Sequence, residues 1–124
     1  MKKIIATDRA PAAIGPYSQA VEAGGLLFLS GQIPLDPVTG TIPEGIEAQA
    51  RQAFSNVHAL LDEAGYGMSD VVKVTVYLAD IADFQVLNTV YAEQFSGDFP
   101  ARSAVGGLSL PKGVLVELDV TACK

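Results

Sequence analysis

The chain has almost none of the side chains that build metal sites and disulfides. Among its 124 residues there is one cysteine, Cys123, one histidine, His58, and no tryptophan. A single cysteine cannot form an internal disulfide, and with one histidine it cannot complete a tetrahedral Cys/His metal site. The sequence therefore excludes a disulfide-stapled domain and structural zinc of this kind, and we expect no bound metal.

Charged residues are also scarce, and most of them are acidic. Only 18% of the residues are charged, and 8 basic against 14 acidic side chains give a formal net charge of −6. The basic residues are scattered along the chain, whereas a nucleic-acid-binding surface needs a basic patch to neutralise phosphates. We therefore expect no nucleic-acid partner.

Long apolar segments are missing as well. No stretch reaches the roughly 18 apolar residues of a membrane helix, and the apolar run after the first lysines is too short for the core of a secretion signal. Apolar residues nevertheless make up 49% of the chain, and the mean hydropathy is +0.31. This composition predicts one compact domain over residues 1–124, cytoplasmic and without membrane contact.

The apolar pattern predicts five strands and two helices. The strand-like segments are residues 17–21, 26–30, 71–78, 101–107 and 114–122. Spacings of three and four predict one helix from Ile46 to a terminating Gly65, and a second along Phe84 to Phe95. The order β-β-α-β-α-β-β indicates an α+β domain with a mixed sheet.

The predicted sheet has one uncovered face. If both crossover connections are right-handed, the two helices lie on the same side of the sheet. Residues 26–29 and 71–78 are nevertheless apolar on both faces. We therefore expect a homo-oligomer that packs sheet faces together and forms clefts between its subunits.

Arg102 and Glu117 are the strongest candidates for chemistry. Arg102 is a fixed cation in an apolar strand with small neighbours, which suits bidentate binding of a ligand carboxylate. Glu117 could orient a water molecule or exchange a proton with substrate. Alternatively, the last two strands form a hairpin that places Arg102 on one face with Glu117 and Asp119, and the arginine forms a structural ion pair. The residues leave both interpretations open.

Four further residues could line a binding site. Tyr17 begins a strand and could present its hydroxyl or pack in the core, while Ser30 and Gly31 end a strand with a hydroxyl and a bare backbone. Asn88 shares a helix face with aromatic residues, where an amide meets either a ligand or a buried structural partner. Each of these features taken alone is also ordinary structure.

Six separated motifs, taken together and in this order, resemble the Rid (YjgF) family. They are APAAIGPYSQ at 10–19, SGQIP at 30–34, QARQ at 49–52, PARS at 100–103, LPKG at 110–113 and VE at 116–117. The likeness extends from about residue 4 to the C-terminus. In particular, the chain resembles the RidA branch, the 2-iminobutanoate/2-iminopropanoate deaminases.

The resemblance implies a chorismate-mutase-like homotrimer that hydrolyses reactive enamine and imine acids, such as 2-aminoacrylate, without a cofactor. Arg102 would bind the substrate carboxylate and Glu117 would position the attacking water. The residues implied to line the cleft are Tyr17, Ser30, Gly31, Asn88 and Ala104. RidA-like chains usually carry cysteine where this chain has Ala104, so the chain keeps the backbone groups of that position and lacks the thiol.

The sequence is also compatible with two other functions. A non-catalytic regulatory trimer that binds small carboxylates would need Arg102 but not Glu117. Relatives also carry an older translation-inhibitor or endoribonuclease name, which the net charge of −6 disfavours.

Overall fold

A computed structural model of residues 1–124 has one six-stranded sheet and two α-helices. The strands are β1 (Lys3–Ile5), β2 (Ala20–Ala23), β3 (Leu26–Gln32), β4 (Val71–Leu78), β5 (Ala101–Val105) and β6 (Val116–Cys123), and the helices are α1 (Ile46–Ala64) and α2 (Phe84–Glu93). The strand order across the sheet is β1-β2-β3-β6-β4-β5. Only β4 and β5 pair in parallel, so the predicted mixed α+β sheet is confirmed.

The two helices cover one face of the sheet, as predicted. Strand β6 alternates strictly: Val116, Leu118 and Val120 are at most 1% exposed and belong to the same core as the buried residues of both helices, while the residues between them are half-buried on the other side. Helix α1 ends where expected, because Gly65 adopts the left-handed conformation at φ 80° that terminates helices. We call the two sides of the sheet the helix face and the open face.

The sequence prediction missed the first strand and misplaced the second. Strand β1 has only three residues, too few for a period-two pattern, and it forms an edge by pairing with β2. Strand β2 begins at Ala20 rather than Tyr17, and the two glycines after it have positive φ as expected for the tight turn. The element order is therefore β-β-β-α-β-α-β-β.

The alternative in which the last two strands form a hairpin is wrong. Strand β4 lies between them, pairing in parallel with β5 and antiparallel with β6. The cause is the apolar character of β4, which suits a central position, and the crossover through α2, which delivers β5 to the far edge of β4.

Four amide side chains are buried, and all but Gln32 attach irregular segments to this framework: Gln19, Gln32, Gln49 and Asn56. The Asn56 amide nitrogen on α1 donates to the carbonyls of Ile33 and Leu35 at 2.9 and 3.0 Å. Gln49 accepts the Leu115 N–H at 2.8 Å, which holds the approach to β6. These contacts hold the loop that follows β3 and the segment that precedes β6.

Replacing Asn56 should measurably destabilise the protein. Asn56→Ala removes the donor for two carbonyls at a fully buried position, so we expect a loss of about 1–3 kcal/mol in the free energy of unfolding. Urea unfolding at fixed protein concentration measures it, with Ser55→Ala on the exposed side of the same helix as the control. Equal stabilities of the two variants would show that the loop is held by other contacts.

Candidate active site

Arg102 lies on the helix face, where aromatic and amide groups of α2 surround it. Its partner in β4 is the fully buried Val74, which defines the side of the sheet. The Arg102 Nη1 donates to Oδ1 of Asn88 at 2.6 Å. The guanidinium carbon lies 5.0 Å from the ring centroid of Phe84 and 4.7 Å from that of Tyr91. All three partners are neutral.

Arg102 is the one arginine of the chain that has no carboxylate partner. Arg9 and Arg51 each form ion pairs with two acidic side chains, at N···O distances of 2.7 to 3.5 Å. Arg102 has an exposed position at the sheet edge and forms no such pair. Its charge is therefore available to a ligand.

A groove of about 410 Å³ opens beside this arginine. It is lined by Asn88, Tyr91, Ala92, Phe99, Pro100 and Arg102. One end is cationic and hydrogen-bonding, and the remainder is largely apolar or aromatic. Ala104 lies two residues further along the same face of β5, opposite the buried Val76, and it is exposed outside this groove.

Glu117 lies on the open face of β6, directly over Gly31. The register between β3 and β6 shifts between Leu29 and Gln32, which places Ser30 and Gly31 in a bulge. A Cβ atom on Gly31 would overlap the Glu117 carboxylate. The glycine predicted to admit a ligand therefore also makes room for this carboxylate.

The surroundings of Glu117 favour its protonated form. Burial raises the pKa of Glu117, and the nearby negative charge of Asp119 raises it further. Tyr77, the β4 partner of Glu117, donates its hydroxyl to Asp119 at 3.3 Å. Burial and the Asp119 charge raise the pKa of Tyr77, so that phenol remains a proton donor. Glu117 is thereby shifted toward the range in which a carboxyl group exchanges protons readily.

Ser30 and Tyr17 lie close to Gly31. The Ser30 hydroxyl donates to the Ser18 carbonyl at 2.6 Å and ties the bulge to the segment before β2. Tyr17 is 52% exposed, so it does not pack in the core. Together with Gly31 it lines a groove of about 250 Å³.

The candidate residues therefore form two separate groups. We call Asn88 and Arg102 the arginine cluster, and Tyr17, Ser30, Gly31 and Glu117 the glutamate cluster. Because Glu117 pairs with Tyr77 and Arg102 with Val74, the two charged residues are separated by two strand spacings, roughly 10 Å, and by three residues along the strands, roughly another 10 Å. They also point to opposite faces, so the alternative of an ion pair between them is wrong within one chain.

Three neighbours of these clusters are not evident from the sequence pattern, and the expected settings of Asp119 and Asn88 are wrong. Phe84 and Tyr91 were assigned only to the apolar stripe of α2, although their spacing from Asn88 places all three on one helix face. Tyr77 has no assigned partner in the sequence pattern. Asp119, considered there as an ion-pair partner of Arg102, lies instead on the open face and accepts the Tyr77 hydroxyl. The predicted alternative of a buried structural Asn88 is wrong, because this side chain is exposed and contacts Arg102.

The helices of the structure include none that is both long and apolar enough to cross a membrane.

Known proteins match this chain over almost its whole length. The family model described as Endoribonuclease L-PSP matches residues 7–124. A RutC family protein of Pyrococcus horikoshii is 54% identical over 125 residues, which cover 100% of this chain and 99% of the relative. The 2-iminobutanoate/2-iminopropanoate deaminase of Salmonella typhimurium is 46% identical over 127 residues, covering 100% of this chain and 99% of that protein.

Solved structures show the same fold. The structure of RidA from an Antarctic Psychrobacter has a TM-score of 0.95 at 46% identity, covering 98% of this chain and 99% of its own. The Escherichia coli protein TdcF, solved with bound serine, has a TM-score of 0.95 at 44% identity and covers 98% of both chains. With the motifs, the sheet topology and these end-to-end matches in agreement, the chain belongs to the Rid (YjgF) family.

Proposed function

We propose that the protein is a deaminase that hydrolyses small enamine and imine acids, such as 2-iminopropanoate and 2-iminobutanoate, to 2-keto acids and ammonia. The observation that carries this proposal is Arg102, an exposed cation held by neutral partners. The relatives named 2-iminobutanoate/2-iminopropanoate deaminase support it. TdcF binds serine, which carries a carboxylate on a three-carbon skeleton, as 2-iminopropanoate does.

Arg102 would bind the substrate carboxylate. Asn88 occupies Nη1, and the other N–H groups of the guanidinium can donate to two carboxylate oxygens in the planar geometry that arginine favours. The apolar remainder of the groove accepts the short side chain of the imine. This arrangement fixes the reacting carbon at a set distance from the guanidinium.

Glu117 would act on the water. The enamine takes a proton on carbon and loses one from nitrogen to become the imine, and water then adds to the C=N carbon. The carboxylate accepts one proton from the water and passes it to nitrogen, which gives a carbinolamine. The carboxylate then passes the remaining hydroxyl proton to nitrogen in the same way, so that ammonia leaves and the C=O bond forms. The reaction consumes only water, and because the substrate is already unstable, positioning and one proton carrier suffice.

One chain cannot form this site alone, because its two clusters lie on opposite faces of the sheet. We infer that the arginine cluster of one subunit meets the glutamate cluster of the next in a homotrimer with chorismate-mutase-like packing and three clefts. The open face supports this assembly, since Ile4 and Phe28 on it are 52% and 45% exposed. Edge strand β5 is exposed along its whole length, which suits a contact beside Arg102.

A charge on the open face should break the assembly. Phe28→Glu places a carboxylate among apolar residues of this face, and we expect the mass to fall from about three times 12.9 kDa to that of one chain. Light scattering at micromolar concentration measures the mass, and Val38→Glu, at an 89% exposed loop position, is the control. A wild-type monomer would contradict the composite site.

The test of the function itself is direct. Purified protein is added to freshly generated 2-aminoacrylate, and the release of 2-keto acid and ammonia is compared with the spontaneous rate. Acceleration that depends on both Arg102 and Glu117 supports the deaminase. Binding of keto acids without acceleration would instead indicate the regulatory trimer that binds small carboxylates.

A further inference from the structure

The side chain of Arg102 is exposed to solvent and yet confined by two aromatic rings. Phe84 and Tyr91 are seven residues apart on α2, which separates their backbones by about 10 Å along the helix. The guanidinium carbon lies 5.0 Å from the Phe84 ring centroid and 4.7 Å from that of Tyr91, so it contacts both rings. Asn88, one turn after Phe84, bonds the guanidinium from the same helix face.

The Tyr91 ring is itself held rigidly. It is only 4% exposed. The Phe54 ring packs against it at 5.8 Å between centroids with an interplanar angle of 76°, and Phe95 lies at 5.1 Å. A fixed ring on one side of the guanidinium restricts the rotamers of a long, flexible side chain, which lowers the ordering cost when a ligand binds.

The Tyr91 hydroxyl takes no part in these contacts. It is buried and has no hydrogen-bond partner in the chain. Burial raises the pKa of Tyr91, against a smaller lowering by the Arg102 charge, so the group stays a neutral phenol. The face of the ring, rather than its hydroxyl, is what Tyr91 presents to the arginine.

We propose that Phe84 and Tyr91 are positioning residues for the substrate: their rings clamp Arg102 with its free N–H groups directed to the ligand carboxylate. Naming that ligand as the substrate rests on the proposed function. The clamp acts on the substrate and the transition state alike, because both carry the carboxylate. Its loss therefore raises KM and leaves kcat nearly unchanged.

The test compares ring removal with hydroxyl removal. For Tyr91→Leu and Phe84→Leu, we expect the Kd for 2-oxobutanoate, measured by calorimetry, to rise about tenfold, equivalent to about 1.4 kcal/mol. Tyr91→Phe keeps the ring and should bind like the wild type. Phe95→Leu removes a ring from the same stack without contacting Arg102, and it controls for general loosening of the core.

A second measurement reports on the arginine without any activity. In a nitrogen-15 NMR spectrum, the Arg102 Nε–H signal, assigned by its absence in Arg102→Lys, should be shifted by the ring currents of both aromatic groups. The shift should persist in Tyr91→Phe and shrink in Phe84→Leu. Because Phe84 is only partly buried, this variant keeps the test valid if Tyr91→Leu unfolds.

The outcomes separate the clamp from the function. Unchanged Kd and KM in Phe84→Leu and Tyr91→Leu, with an active wild type, would overturn the clamp alone. An equal loss in Tyr91→Phe and Tyr91→Leu would overturn it too, by assigning the effect to the hydroxyl. A wild type that binds 2-oxobutanoate but accelerates no deamination would overturn the proposed function, while the expected Kd series would still support the clamp.

Discussion

Arg102→Ala is expected to abolish measurable deamination while the fold and the assembly persist. A charge-assisted, bidentate contact between guanidinium and carboxylate is worth about 1.5–3 kcal/mol, or roughly 10- to 150-fold in affinity or rate. Alanine removes that contact and also the charge that orients the substrate. The fold should tolerate the change because Arg102 is exposed at an edge strand and forms no ion pair within the chain.

Arg102→Lys should lose most of the same activity. A lysine ammonium keeps the charge but cannot reproduce the planar pair of donors. It also cannot bond Asn88 through one nitrogen and the substrate through the others, as the guanidinium can. Keto-acid release, light scattering and circular dichroism together measure activity, assembly and fold. Arg51→Ala is the matched control, because it removes another exposed arginine, one whose partners are the carboxylates of Glu47 and Glu93.

The opposite pattern would contradict this role. If Arg102→Ala dissociates the proposed trimer and Arg102→Lys is harmless, the residue is an interface charge and not a carboxylate ligand. Ala104→Cys adds the thiol usual in RidA-like chains on the same strand face. We expect little change in turnover if only the backbone is used there, and a large gain would show that the thiol takes part.

The sequence predicts those parts of the fold that depend on local pattern. The alternation of Val116 to Ala122 and the helical spacing from Ile46 to Gly65 each report which side of an element is buried, so both were assigned correctly. Strand β1 was missed because three residues at a sheet edge show no period, and it exists only through its pairing with β2.

Strand pairing is the part that local pattern cannot supply. The chain order of the last two strands suggests a hairpin, whereas β4, whose sequence is largely apolar on both faces, lies between them and pairs with both. That one difference decides the candidate site, because it places Arg102 and Glu117 on opposite faces. The motifs identify the residue types, whereas the sheet topology places them on opposite faces, which is why the proposed site joins two copies of the chain.

The aromatic partners of Arg102 illustrate the same limit. The spacing of Phe84, Asn88 and Tyr91 is visible in the sequence as a shared helix face. Nothing in that spacing shows that β5 lies beside this face, because the contact joins residues 14 positions apart through a crossover. The signal was present, but its meaning depended on a tertiary arrangement.

Glu117→Gln should reduce kcat far more than it weakens substrate binding. Glutamine keeps the size of the side chain over Gly31 but can neither accept a proton from water nor return it to nitrogen. General acid–base catalysis by one group contributes about 10²- to 10⁴-fold, so we expect a loss in that range in kcat with a change of a few fold in Kd for 2-oxobutanoate. Glu44→Gln, at an exposed loop position, is the control.

The pH profile gives this prediction a second, independent measure. If the ionised carboxylate is the active form, the rate falls as the pH drops through the raised pKa of Glu117. Asp119→Asn removes the negative charge that helps to raise this pKa, so the acid limb should move to lower pH. In Glu117→Gln that limb should disappear.

Gly31→Ala should displace the same carboxylate from the neighbouring strand β3. The added Cβ would overlap the Glu117 carboxylate, which must then move, while Gly97→Ala meets no atom within 4 Å and serves as the control. Because the displaced atoms are the end of a flexible side chain, the fold should survive and kcat should fall as in Glu117→Gln. Equal losses in kcat and binding would instead make Glu117 a binding residue, and unchanged turnover in both variants would reduce it to an acid on the sheet surface.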